Sequence, residues 1–303
     1  MIEVGESTGL GTPRVISSRI LRGLSLAAAI VLLATTGCGS APDVVRMATT
    51  TSVENSGLLA AVLPAFSRQT KIRVDVLAVG SGQALNLLKR GEVAIGLTHD
   101  PASETAALAA GVITGYRKIM FNDFIIAGPP GDPAAIGRAS DAVDAFARIA
   151  ASDVMFVSRG DASGTYSREQ ELWALARRRP SPNRLLEVGQ GMGGTLRVAN
   201  EKSAYTLSDR ATFEQFRRAL RLVSLFEGGS ALLNTYAVFV RPGLAGTERA
   251  AAVALTGWLA DGDGRQWVAG FVANGRPAFQ VWPLGAPRES PADLPPPAAA
   301  YVR

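Results

Sequence analysis

Short β-branched runs alternate with segments of helical period along most of this chain, and that rhythm restricts its fold more than any other feature. Residues 44–48 read as a strand, and 55–67 carry Leu58, Leu59, Val62, Leu63 and Phe66 at helical spacing. A β-branched alternating run follows at 72–79, then a helix at 83–89 stopped by Gly91, a strand at 93–97 and a helix at 103–110. Strands separated by helices pair in parallel, with helices over both sheet faces, so the expected class is α/β.

The rhythm restarts after a breaker cluster. Residues 118–127 read as one longer extended segment, ended by Gly128-Pro129-Pro130-Gly131-Asp132-Pro133. A helix over 141–150, a strand over 154–158 and a helix over 167–178 then begin a second series, which places a domain boundary near Gly128. The last clear strand is 235–240, and 248–259 is an amphipathic helix containing Trp258. The Pro-rich tail at 286–303 is expected to be loose. With 303 residues, 47% hydrophobic and 19% charged, the chain can bury two cores.

The N-terminus reads as an export signal. Arg14, Arg19 and Arg22 form a basic region before an apolar run at 24–34, which is too short to span a bilayer comfortably. Thr35-Thr36-Gly37-Cys38 follows. A small residue before a cysteine at this place resembles a bacterial lipobox, with Cys38 as the lipidated first residue of the mature chain. Thr35 stands where a lipobox usually has Leu, so a plain cleaved signal is the alternative. The expected organisation is a signal at 1–37, a linker at 38–43, one lobe at 44–125 plus 235–285, a second at 126–234, and the tail. Cys38 is the only cysteine and His99 the only histidine, which leaves a zinc cluster or a Ser-His-Asp triad little to be built from. The net charge of +5 is mild and its cations are scattered apart from Arg177-Arg178-Arg179, which does not favour a nucleic-acid surface.

Three polar loops of small residues share one position, each after an expected strand and before an expected helix. They are Thr49-Thr50-Thr51-Ser52, Gly80-Ser81-Gly82, and Ser158-Arg159-Gly160-Asp161-Ala162-Ser163-Gly164-Thr165. Ligands of parallel sheets bind beyond the carboxyl ends of the strands. Helix starts there offer unpaired N–H groups and partial positive charge, hydroxyls add donors, and Arg159 adds a permanent cation with a planar donor fork. Any one loop alone is explained by ordinary capping. Together they suit a small dehydrated anion, and none contains an aromatic ring for a large organic ligand.

These loops, with His99-Asp100-Pro101, Phe121-Asn122-Asp123-Phe124, Gly189-Gln190-Gly191-Met192-Gly193 and Tyr205-Thr206-Leu207-Ser208-Asp209-Arg210, resemble the tungstate-binding proteins of ABC importers, in that family's order. The resemblance spans about 44–285. It implies a two-lobed periplasmic-binding-protein fold of type II, with two crossover strands and the ligand in the cleft between the lobes. Residues 118–127 and 235–240 are the candidate crossovers. It places the oxyanion against Thr50, Thr51 and Ser81 from one lobe and Arg159, Ser163, Gly164 and Thr165 from the other. It implies no cofactor and no metal other than tungsten bound as the oxyanion. The implied partners are tungstate or molybdate, an ABC permease and its ATPase, with the chain a monomer outside the cytoplasm, tethered only by lipid.

Phosphate-binding proteins also follow an Arg after three residues with Ser-Gly-Thr. Phosphate carries a proton near neutral pH and benefits from a carboxylate acceptor, for which Asp100 and Asp161 are the candidates; the other reading of each is a cap or turn. A sensor feeding a membrane signalling partner, or an enzyme at the same cleft, are the alternatives from other classes. Gly189-Gln190-Gly191-Met192-Gly193-Gly194 matches G-x-G-x-x-G with Asp209 twenty residues on, yet sits mid-chain inside a stretch that the transport family accounts for. Trp173 and Leu172 read as core, and Asn234, Thr235 and Tyr236 as a possible hinge.

Overall fold

The computed structural model describes residues 43–295. The export signal, Cys38 and all of the linker but Asp43 lie outside the described residues. In the first series, β1 (Val44–Thr50) runs directly into α1 (Thr51–Ser56) and α2 (Leu58–Thr70), followed by β2 (Arg73–Val79), α3 (Ser81–Lys89), β3 (Ile95–Thr98) and α4 (Pro101–Ala109). The single helix expected over 55–67 is therefore two. Gly57 divides them by adopting φ 81°, and its N–H closes α1 on the carbonyl of Glu54 at 3.0 Å. The apolar spacing marks only α2, because α1 is mostly polar.

The chain then crosses on β4 (Thr114–Gly128). The second series is α5 (Ala142–Ala151), β5 (Phe156–Ser158), α6 (Gly164–Ala176), β6 (Leu185–Glu187), α7 (Met192–Lys202), β7 (Thr206–Asp209), α8 (Arg210–Phe216) and β8 (Val223–Glu227). It returns on β9 (Leu233–Val240) to α9 (Gly246–Ala260), α10 (Gly264–Ala269) and the short strands β10 (Val272–Ala273), β11 (Arg276–Pro277) and β12 (Gln280–Val281).

The sheet order is β12-β4-β9-β3-β1-β2, and β1 pairs in parallel with both β2 and β3. β9 runs antiparallel to β3 on one side and to β4 on the other. Beyond that ladder the far half of β4 pairs with β7 and β8, while β5 and β6 form a separate parallel pair. Each lobe packs apolar residues in two clusters. In the first lobe Met47, Ile95, Met120, Val238 and Leu255 belong to one, and Ala48, Leu88, Tyr116 and Phe239 to the other. In the second lobe Phe146, Phe156, Leu172 and Trp173 pack together, and Val157, Met192, Leu196 and Phe213 form the companion cluster. Burying each Leu, Ile, Val, Phe or Met side chain of these clusters contributes about 1.5–3 kcal/mol.

Two strands connect the lobes, as the type II fold requires. Met120 lies in the first core and Phe124 in the second, while Leu232 lies in the second and Tyr236 in the first. Between them Asn122 faces Asn234 in register. The chain thus enters the second core four residues before Gly128, because the end of β4 supplies a strand to each lobe.

The tail to residue 295 is held rather than loose. Lys118, almost fully buried, donates through Nζ to the carbonyls of Pro291 and Asp293, and its backbone N–H donates to the Arg288 carbonyl at 2.8 Å. A buried ammonium must find acceptors, and these tail carbonyls supply them. Burial still lowers the Lys118 pKa to about 8.

Candidate functional site

The three loops meet where the lobes touch. Thr50 caps α1, its Oγ1 accepting the Val53 N–H at 3.2 Å, and Ser163 caps α6 by accepting the Tyr166 N–H at 3.2 Å. A hydroxyl that accepts at a cap keeps its own proton to donate. Ser81 opens α3, and Thr165 lies in the first turn of α6; both are fully buried.

Arg159, at the end of β5, reaches from the second lobe into the first. It is 2% exposed; Nη1 donates to Ser52 Oγ at 3.2 Å, and Nη2 donates to Thr51 Oγ1 at 3.3 Å and to Asp161 Oδ2 at 2.5 Å. Its Nε, together with Ser81 Oγ and Thr165 Oγ1, is buried without a hydrogen-bond partner in the protein. An unpaired buried polar group costs about 1–3 kcal/mol, so these donors, carried on loops of both lobes that touch at Ala162, are candidate partners for a ligand.

The electrostatics favour an anion. Burial first, and then the charge of Arg159, lower the His99 pKa to about 4, so the imidazole is neutral at physiological pH. Burial raises the pKa of Asp209, whose Oδ1 accepts the Thr212 N–H at 2.8 Å as the cap of α8. The permanent cation of the cleft is Arg159, reinforced by the helix starts at Thr51, Ser81 and Gly164.

Of the seven residues expected at the cleft, Thr51, Ser81, Arg159, Ser163 and Gly164 stand at or beside contacts between the lobes, and Thr50 and Thr165 lie next to them in the chain. Thr51 bonds Arg159 directly, and Ser81 lies between Gly80 and Gly82, which both touch Ala162 of the Arg159 loop. Gly164 packs against the backbone of His99. Ser52 was not among the residues expected there, although it ends the Thr49-Thr50-Thr51-Ser52 string; its partnership with Arg159 depends on the lobes meeting.

Asp100 is not a free proton acceptor. Its Oδ1 caps α4 through the Ser103 N–H at 3.3 Å, and its Oδ2 accepts from Ser103 Oγ at 2.7 Å and from Ser167 Oγ of the other lobe at 3.1 Å. Asp161 is bound to Arg159 through Oδ2, and its Oδ1 is buried without a partner.

His99 takes part in the crossover rather than in a turn alone. Its Nδ1 lies 3.0 Å from Asn234 Oδ1, and Asn234 Nδ2 donates to Asn122 Oδ1 at 3.0 Å and to Tyr236 Oη at 2.7 Å. Those donations fix the amide, so Nδ1 carries the imidazole proton. The glycine run at 189–194 has a packing role: Gly191 brings the start of α7 against Thr51, and Gly193 makes room for Phe216.

A cavity of about 460 Å³ opens beside the crossovers, lined by Phe121, Asp123, Arg210, Glu227 and Arg276 among others. Arg210 there is paired with Asp123 and Glu227, and Arg276 with Glu214.

The model of the PBP superfamily domain matches residues 36–260. The tungstate-binding protein TupA of Peptoclostridium acidaminophilum is 37% identical over 231 residues, covering 71% of this chain and 81% of that one. The crystal structure of the tungstate ABC transporter from Geobacter sulfurreducens superposes with a TM-score of 0.71 at 37% identity, over 77% of this chain and 100% of that one. The tungstate-binding protein TupA of Desulfovibrio alaskensis G20 gives 0.67 at 35% identity, over 79% and 98%. By sequence and by fold, the chain belongs to the PBP superfamily and, within it, to the family of these tungstate-binding proteins of ABC importers.

Proposed function

We propose that this chain captures tungstate outside the cytoplasm and delivers it to an ABC importer. The observation that carries the reading is Arg159, a buried cation hydrogen-bonded to both lobes where the donor-rich loops of each meet. Ser81 Oγ, Thr165 Oγ1, the Arg159 guanidinium and the hydroxyls of Thr50, Thr51 and Ser163 would replace the water around the anion, with the Gly164 N–H at the start of α6. Closure removes solvent from these contacts and so strengthens each charge-assisted hydrogen bond.

A fully deprotonated dianion fits the donors of Ser81, Thr165 and Arg159. Asp100 has both carboxylate oxygens occupied, which removes one of the two acceptors a protonated phosphate could use. Tungstate and molybdate share charge and nearly share shape, so both belong to the ligand class. The chain would act as a monomer, tethered through Cys38 and presenting its closed lobes to a permease driven by an ATPase. Among the described residues no helix is long and apolar enough to cross a membrane.

Calorimetric titration of the mature protein with tungstate, molybdate, sulfate and phosphate tests this reading. Submicromolar binding of tungstate, with phosphate at least about a hundredfold weaker, is expected. Tight phosphate binding without tungstate binding would contradict it.

A further inference from the structure

At Gly80 and Gly164 the lobes approach each other more closely than a Cβ permits, and at Gly191 they leave it little room. A Cβ on Gly80, the residue that precedes α3, would stand 2.6 Å from the carbonyl oxygen of Ala162. On Gly164 it would stand 2.5 Å from the carbonyl oxygen of His99, and on Gly191 3.0 Å from Thr51 Oγ1. Each contact joins one lobe to the other.

Backbone conformation does not explain these glycines. Gly80 has φ −81° and ψ 160°, and Gly191 has φ −60° and ψ 163°, conformations open to any residue. Gly164 is an ordinary residue of the first turn of α6. Space in the opposite lobe is what each of them requires.

The Gly80 contact has a further part. The Ala162 carbonyl that touches it also accepts the Gly82 N–H at 3.2 Å, so the Arg159 loop is seated on the start of α3 with Ser81 between the two contacts. We infer that Gly80, Gly82 and the Ala162 carbonyl form a closure latch, which sets the distance between Ser81 and Arg159 and thereby positions the donors of both lobes on one small anion. The inference rests on the reading of this cleft as the oxyanion site. A methyl group at Gly80 displaces Ala162, breaks the Gly82 bond and holds the lobes apart without removing any donor. Hydrogen bonds lengthened by even a fraction of an ångström beyond their usual range lose much of their strength.

The test compares Gly80→Ala and Gly191→Ala with Gly257→Ala, whose added Cβ would meet nothing within 4 Å. Tungstate affinity is measured by calorimetry, closure by the contraction in small-angle scattering on saturation, and folding by the melting temperature of the ligand-free protein. Gly80→Ala should weaken binding by about thirtyfold or more and reduce the contraction, and Gly191→Ala, which meets a side chain rather than backbone, should do so less. Gly257→Ala should match wild type, and the ligand-free melting temperatures of all three should stay close to it.

Wild-type affinity and contraction in Gly80→Ala would overturn the latch. If Gly80→Ala does not fold, hydrogen exchange of the Gly82 amide in wild type carries the test, and exchange left unchanged by saturating tungstate overturns the latch. If wild type binds phosphate and not tungstate, the ligand reading fails alone, and the same ranking is measured with phosphate. Binding of no oxyanion by wild type would overturn both.

Discussion

Arg159 is buried with its charge, and two of its hydrogen-bond partners come from the opposite lobe. Each charge-assisted bond to a bound dianion is worth about 1.5–3 kcal/mol, so Arg159→Ala should weaken oxyanion binding by about a hundredfold or more, measured by calorimetry. Arg159→Lys should fall between the two, because a point charge replaces the planar fork. Unchanged affinity in Arg159→Ala would mean that the anion lies elsewhere. Much of this was legible in the sequence: the hydroxyl-rich strings and Arg159 at strand ends identify donors by type. That Arg159 reaches Ser52, or that Asp100 also accepts from Ser167 of the other lobe, was not legible, because these contacts join residues 67 or more positions apart.

At the scale of elements, each lobe ties a strand end to the next helix through a buried glutamate. Thr98 Oγ1 donates to Glu104 at 2.6 Å in the first lobe, and Ser158 Oγ donates to Glu169 at 2.8 Å in the second. Burial raises the pKa of Glu169 from 4.5 to about 7. Between those values the folded chain holds a proton that the unfolded chain has lost, so this contribution to stability is complete below pH 4.5 and is lost as pH rises through about 7. Glu169→Gln should therefore melt more favourably relative to wild type at pH 8 than at pH 5, by up to ~3 kcal/mol. An equal difference at both pH values would contradict the assignment. The sequence marked the α5–β5–α6 series well but began α6 three residues late, because Gly164, Thr165 and Tyr166 of its first turn do not continue the apolar stripe. The strands β6, β7 and β8 gave little signal: they are three to five residues long, too short for an alternation to register.

At the scale of the whole molecule, β4 and β9 tie two α/β lobes together, with Asn122, Asn234, His99 and Tyr236 hydrogen-bonded or stacked where they cross. The two-lobed class could be read from the repeated strand and helix rhythm with the family resemblance, but the way the lobes seat on one another could not. Glycines at 80 and 191 appear in sequence as ordinary loop residues, and only the apposed lobe gives them a distinct role. The central claim is that one oxyanion is held between the lobes by donors of both. Its most direct test is the crystal structure of the mature protein grown with tungstate, with anomalous differences recorded at a tungsten absorption edge. A single strong peak between Ser81 Oγ, Thr165 Oγ1 and the Arg159 guanidinium, within hydrogen-bonding reach through its oxygens, is expected. A peak outside this cleft, or a cleft that stays free of tungsten at saturating concentration, would contradict it.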